Sequence, residues 1–92
     1  MKESPEIINI LINHGIDINQ TDRLGRTALH ISCKNGNLTI VTLLLNNNAN
    51  LNIKDSAGNT PLDNAIEYDY EIIVKKIKRH KAELENTKTE NE

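Results

Sequence analysis

The stretch "LLLNNNANLNIKDSAGNTPL", Leu43 to Leu62, decides how this chain is read. It begins as an apolar run, stops on three consecutive asparagines and then alternates. Laid under "ILINHGIDINQTDRLGRTAL", Ile10 to Leu29, at an offset of 33 residues, it agrees where backbone chemistry is most demanding. Leu11 meets Leu44, Asn13 meets Asn46, Asn19 meets Asn52 and Asp22 meets Asp55. Gly25 then meets Gly58, Thr27 meets Thr60 and Leu29 meets Leu62. Self-similarity at a fixed period of this length is the signature of stacked structural units, each too small to bury its own core.

The same offset sets "PEIINILIN" from Pro5 over "LTIVTLLLN" from Leu38, and "TIVTLLL" over "IIVKKIK" from Ile72. The chain therefore divides into a partial unit over residues 1–20, a complete one over 21–53 and a terminal one over 54–85. A polar tail, 86–92, follows and is expected to be disordered, because it offers nothing to bury.

Each unit reads as helix, turn, helix, extended finger. In the complete one Thr27 caps "ALHISCKN", its hydroxyl accepting from an orphan amide of the first turn. Gly36 ends that helix in the left-handed conformation. Asn37 caps the next, "LTIVTLLLN", whose rows Ile40, Leu43 and Leu44 with Val41 and Leu45 can pack on neighbours to both sides. Asn48 falls on Gly15 under the offset, and asparagine is the next-best residue for a left-handed helix stop. The fingers "IDINQTDRLGRT" and "ANLNIKDSAGNT" each carry a turn whose glycine suits positive φ.

These residues resemble the ankyrin repeat family. The period, "DRLGRTALHISCKNGNLTIVTLLLNNNANLN" and "DSAGNTPLDNAIE" follow its pattern of Asp, two variable residues, Gly, one variable residue and Thr-Pro-Leu-His. The resemblance runs from Ser4 to about Lys81 and implies an all-α repeat solenoid of helix-turn-helix units with hairpin-like extended fingers. Ala28 stands for the family's proline in the middle repeat, Asp63 for its histidine in the last and Asp69 for its interhelical glycine. Asp69 must either take the left-handed conformation at a cost or shift the loop.

The two ends differ. Leu43 and Leu45 become Lys76 and Lys78 in the last repeat, which reads as the polar outer face of a capping unit. Their equivalents at the other end, Ile10 and Ile12, are still apolar, and the helix that would precede Ser4 is missing. The face of Ile7, Ile8, Ile10 and Leu11 is thus expected to meet a longer array, an irregular packing of residues 1–13, or another subunit in a homodimer.

Composition narrows the class. Asn, Ile and Lys exceed a third of the residues, the mark of an AT-rich coding sequence, so the asparagine excess needs no functional explanation. With 11 basic and 13 acidic residues, net charge favours neither nucleic acid nor an anionic membrane. Cys33 is the sole cysteine and can form no internal disulfide, and the N-terminal apolar run is broken by Asn9 and Asn13. The expectation is an intracellular protein, cytoplasmic or nuclear.

Little points to chemistry. His30 and Cys33 lie three apart on one helix, but no further ligand or base completes a metal site or a nucleophile pair. The resemblance instead makes His30 a tie between loops and Cys33 a small packed residue. There is no phosphate-cradling loop, no paired buried carboxylate and no serine nucleophile motif, so neither an enzyme nor a cofactor is implied. The cluster "KKIKRHK", Lys75 to Lys81, offers a nucleic-acid or anionic-lipid surface as the alternative function, against a plain solvated helix face with supporting Glu71–Lys75 and Lys81–Glu85 pairs.

What the resemblance implies is protein binding through finger tips and the exposed face of each first helix. Carried over by position, the candidates are Arg23, Leu24, Arg26, Lys34 and Asn35 in the middle repeat, and Ser56, Ala57, Asn59, Glu67 and Tyr68 in the last. The first finger adds Gln20 and Thr21. Asp22 and Asp55 are expected to be tied up in their turns, and the arginines to engage an acidic segment of the partner by forked hydrogen bonds.

Overall fold

The computed structural model describes Gly15 and residues 17–90, with side chains to residue 85. Ile7, Ile8, Ile10 and Leu11 lie outside the described residues. Four helices follow one another: α1 (Ala28–Asn35), α2 (Leu38–Asn46), α3 (Pro61–Glu67) and α4 (Glu71–Glu90). No strand forms among the described residues; the fingers are built from tight turns. α1 and α2 make one antiparallel pair, α3 and α4 the next, and the pairs stack α1 on α3 and α2 on α4. This is the helical repeat solenoid the resemblance implied.

Each first helix starts from the same device. Thr27, extended at φ −89° and ψ 171°, accepts the His30 amide on its hydroxyl at 3.3 Å, while its own N–H donates to His30 Nδ1 at 3.0 Å. Thr60 repeats this with Asp63, which returns Oδ2 to the Thr60 amide at 3.0 Å. Two orphan donors are satisfied reciprocally at each start. Asn37 caps α2 by accepting the Ile40 amide at 3.2 Å.

The helix stops share one geometry written in three residues. Gly36 (φ 72°), Asn48 (φ 66°) and Asp69 (φ 61°) are all left-handed. The residue after each donates its amide five positions back, Asn37 to Ser32, Ala49 to Leu44 and Tyr70 to Ala65, at 3.0, 3.1 and 3.0 Å. These bonds satisfy carbonyls the helix end would otherwise orphan. The asparagine triplet is thus a helix stop, and Asp69 takes the left-handed conformation rather than shifting its loop.

The core is continuous through the two pairs. Leu29, Cys33, Ile40, Val41, Leu44, Leu45, Ala65, Ile73 and Ile77 are buried, joined by Ala49 and Leu51 from the finger base. Both rows of α2 contribute, although Leu43 is only half-buried. α4 is longer than its register requires. It continues as helix to Glu90, past residue 85 where the sequence reading ended the ordered unit. Asn86, Thr87 and Thr89 in this extension are weak helix formers, so it propagates from the anchored helix before it and not from local propensity.

Candidate protein-binding surface

Two stacked finger turns form one edge of the molecule. In the first, Asp22 Oδ1 accepts the amides of Leu24 and Arg26, both at 2.9 Å, and the Gly25 amide closes on the Asp22 carbonyl at 3.0 Å. In the second, Asp55 Oδ1 accepts from Ala57 at 3.0 Å and Asn59 at 2.9 Å, with Gly58 closing on the Asp55 carbonyl. Both aspartates are thus consumed by their turns. A short polar side chain that bonds its own backbone two residues on is the common way to fix such a loop.

The fingers are locked to each other as well. The Ser56 amide donates to the Leu24 carbonyl at 2.8 Å, and the Asn50 amide to Asn19 Oδ1 at 2.8 Å. A Cβ on Gly25 would lie 3.1 Å from Ser56 N, so glycine there lets the second finger close on the first. Beneath them His30 bridges the repeats: with Nδ1 accepting from Thr27, Nε2 donates to the Asn59 carbonyl at 2.8 Å. His30 is fully buried, and this is the loop tie the resemblance implied.

Arg26 does not belong among the free binding groups. Its Nε and Nη2 both reach Asp22 Oδ2 at 2.9 Å. The Arg26 backbone N–H above all, then its side chain, holds the Asp22 carboxyl below the usual range. The guanidinium closes the turn from outside and is half-buried, whereas Arg23 is exposed. Asn59 is half-buried too and serves through its carbonyl.

The other candidates fall into two groups. Gln20, Thr21, Arg23, Leu24, Ser56 and Ala57 are exposed on or beside the finger tips, with Leu24 presenting 52% of its surface. Lys34 and Asn35 end α1, and Glu67 with Tyr68 closes α3, so these four lie at the opposite ends of those helices. Seven residues of helix, about 10 Å, separate each from its finger end. The candidates thus divide between the finger tips and the far ends of the first helices.

Cys33 is buried, and burial pushes its thiol up to about 12, so it packs as a small apolar residue. Among the described residues no cluster of His, Cys, Asp and Glu could hold a metal ion, and no helix is long and apolar enough to cross a membrane. In the basic run of α4, Ile77 is buried, Lys76, His80 and Lys81 are half-buried, and Arg79 pairs with Glu83 at 3.6 Å. No ion pair joins Glu71 to Lys75.

A profile described as ankyrin repeats, in three copies, matches residues 1–88. The chain belongs to the ankyrin repeat family. A fowlpox virus (strain NVSL) protein named for ankyrin repeats is 41% identical over 91 residues, 97% of this chain and 27% of its own length. Human ankyrin repeat domain-containing protein 63 is 36% identical over 55 residues, covering 60% of this chain and 14% of its own. Human protein phosphatase 1 regulatory subunit 27 is 34% identical over 73 residues, 79% of this chain and 47% of its own. This ankyrin chain thus spans about a quarter or less of the first two relatives. Ankyrin repeats are in general protein–protein interaction modules, a non-enzymatic domain type.

One set of exposed residues was missed from sequence. Ile66 on α3 is 51% exposed and Ile72 on α4 68% exposed, with Leu38 and Tyr70 lining a groove beside Ile72. Following the offset through Cys33 would have found Ile66, because it occupies the position that the next pair of helices covers in the middle repeat.

Proposed function

We propose that this ankyrin chain binds a partner protein through the finger-tip edge, with Arg23 and Leu24 as its anchors and Ser56 and Ala57 beside them. The observation that carries this reading is the locked pair of fingers. Leu24 is exposed, yet its carbonyl is bonded to Ser56 and its amide to Asp22, so an apolar side chain is held out to solvent on an ordered backbone. Such pre-organisation lowers the entropy lost on binding. The free guanidinium next to it favours an acidic residue flanking an apolar one in the partner.

The test is a displayed peptide library selected against the folded chain and counter-screened on Arg23→Glu and Leu24→Ala. Enriched sequences should pair an acidic residue with an apolar one and lose at least tenfold in affinity on either variant, with thermal stability unchanged. Arg26→Ala is unsuitable as a probe, because it removes the outer clasp of the Asp22 turn. Peptides that bind wild type and both variants equally would remove the proposal.

A further inference from the structure

The outer face of the last repeat carries a pattern that the finger edge does not explain. Glu71, Val74, Lys75 and Lys78 fall at i, i+3, i+4 and i+7 of α4, and so share one side of it. With Ile66 and Asp69 from the end of α3 they line a groove of about 380 Å³. Of the same positions one repeat earlier, Cys33, Val41 and Leu45 are buried and Gly36 and Thr42 half-buried, while Leu38, the equivalent of Glu71, stays exposed. Here Ile66 is 51% exposed and Val74 half-buried, so the polar coat of the capping helix is incomplete. Glu71, Lys75 and Lys78 form no ion pair among the described residues.

Two features select the occupant. A further repeat stacked as the last one stacks on the middle one is disfavoured. At the internal joint the Tyr70 ring sits where a Cβ on Gly36 would be 2.7 Å away, and the matching position on the outer face is Asp69, which has that Cβ. The charges are also ordered along α4: Asp69 and Glu71 at the beginning, Lys75 and Lys78 one to two turns on. An occupant of uniform charge meets like charge at one end. A second α4 running antiparallel meets opposite charge at both.

We propose that two copies of this chain associate through this face, their α4 helices antiparallel, with Glu71 of each against Lys78 of the other. The arrangement is isologous, as two-fold symmetry requires. Val74 of each copy lies near the axis under the aliphatic stem of the partner's Lys75, and the two Ile66 side chains flank it. The face is confined to one side of α4 and the end of α3, so the dimer belongs with the weak contacts that bury less than about 1,200 Å² in total.

Sedimentation equilibrium of the full chain from about 10 µM to 1 mM tests this, spanning the range in which so small an interface is populated. Wild type should pass from monomer to dimer across that range. Glu71→Lys and Lys78→Glu should each weaken the dimer at least tenfold, since each sets like charges opposite one another twice. The double variant should return to within about threefold of wild type, and an equimolar mixture of the two single variants should form a heterodimer. Ile66→Asp should abolish association while its thermal melt stays at the wild-type position. A wild-type chain that stays monomeric at 1 mM overturns the proposal. So does a dimer indifferent to Ile66→Asp, which would place the contact elsewhere, such as the Ile7, Ile8, Ile10 and Leu11 face. Loss in both single variants with no recovery in the double variant would also overturn it.

Discussion

The middle and last repeats have nearly the same backbone and opposite obligations. His30 satisfies an amide and a carbonyl from two different loops, whereas Asp63 in its place satisfies one amide and faces solvent. Gly36 must lack a side chain because Tyr70 sits on it; Asp69, its equivalent, carries one and is exposed. Cys33 and Leu45 are buried, while Ile66 and Lys78 are exposed. The period sets the backbone of both units, and the neighbour of each face sets which side chains it tolerates.

The largest effect in that comparison falls on the bridging histidine. His30→Leu leaves the Thr27 amide without a partner in a buried setting and takes one of two donors from the Asn59 carbonyl, the Asp55 amide remaining, and should cost about 3 kcal/mol in urea unfolding. Asp63→Leu, at the exposed equivalent, removes one cap bond and should cost about 1 kcal/mol or less. Equal losses would mean that the two positions are under the same constraint.

The helix stops come next, and they should respond with opposite signs. Gly36→Ala should destabilise by about 2 kcal/mol, combining left-handed strain with displacement of the Tyr70 ring. Asp69→Gly removes the same strain where nothing is displaced, and should stabilise by about 0.5–1 kcal/mol. If Asp69→Gly destabilised instead, its carboxylate would have a structural duty the comparison denies it. Smallest of all, Asn48→Gly should be neutral or gain a few tenths of a kcal/mol, because asparagine already tolerates φ 66°. A clear loss would show that the asparagine triplet does more than end α2.

Most of the fold was legible in the sequence because its determinants are local. Thr27, Asn37 and Thr60 cap through bonds within three residues, and Gly36, Asn48 and Asp69 stop helices through their own φ. The offset carried those local rules from one unit to the next. The candidate surface was less legible because it depends on contacts that spacing does not encode. Arg26 reads as a free cation until its clasp on Asp22 is seen. Ile66 aligns with the buried Cys33, and it is exposed because no further pair of helices covers it among the described residues.

The central claim is that positions 33 and 66 are the same place in two successive repeats, sealed in one and open in the other. Single-cysteine chains test it directly: wild type with Cys33 alone, and Cys33→Ala combined with Ile66→Cys. Each is reacted with a disulfide reagent near pH 8 at low micromolar concentration. Cys33, buried and with its thiol pushed up to about 12, should react only through unfolding, at least 100-fold more slowly than the cysteine at position 66. Burial that raises the folded pKa above the unfolded value also makes the wild type lose stability as pH rises beyond about 9, and Cys33→Ala should remove that loss. Comparable rates at the two positions would contradict the account.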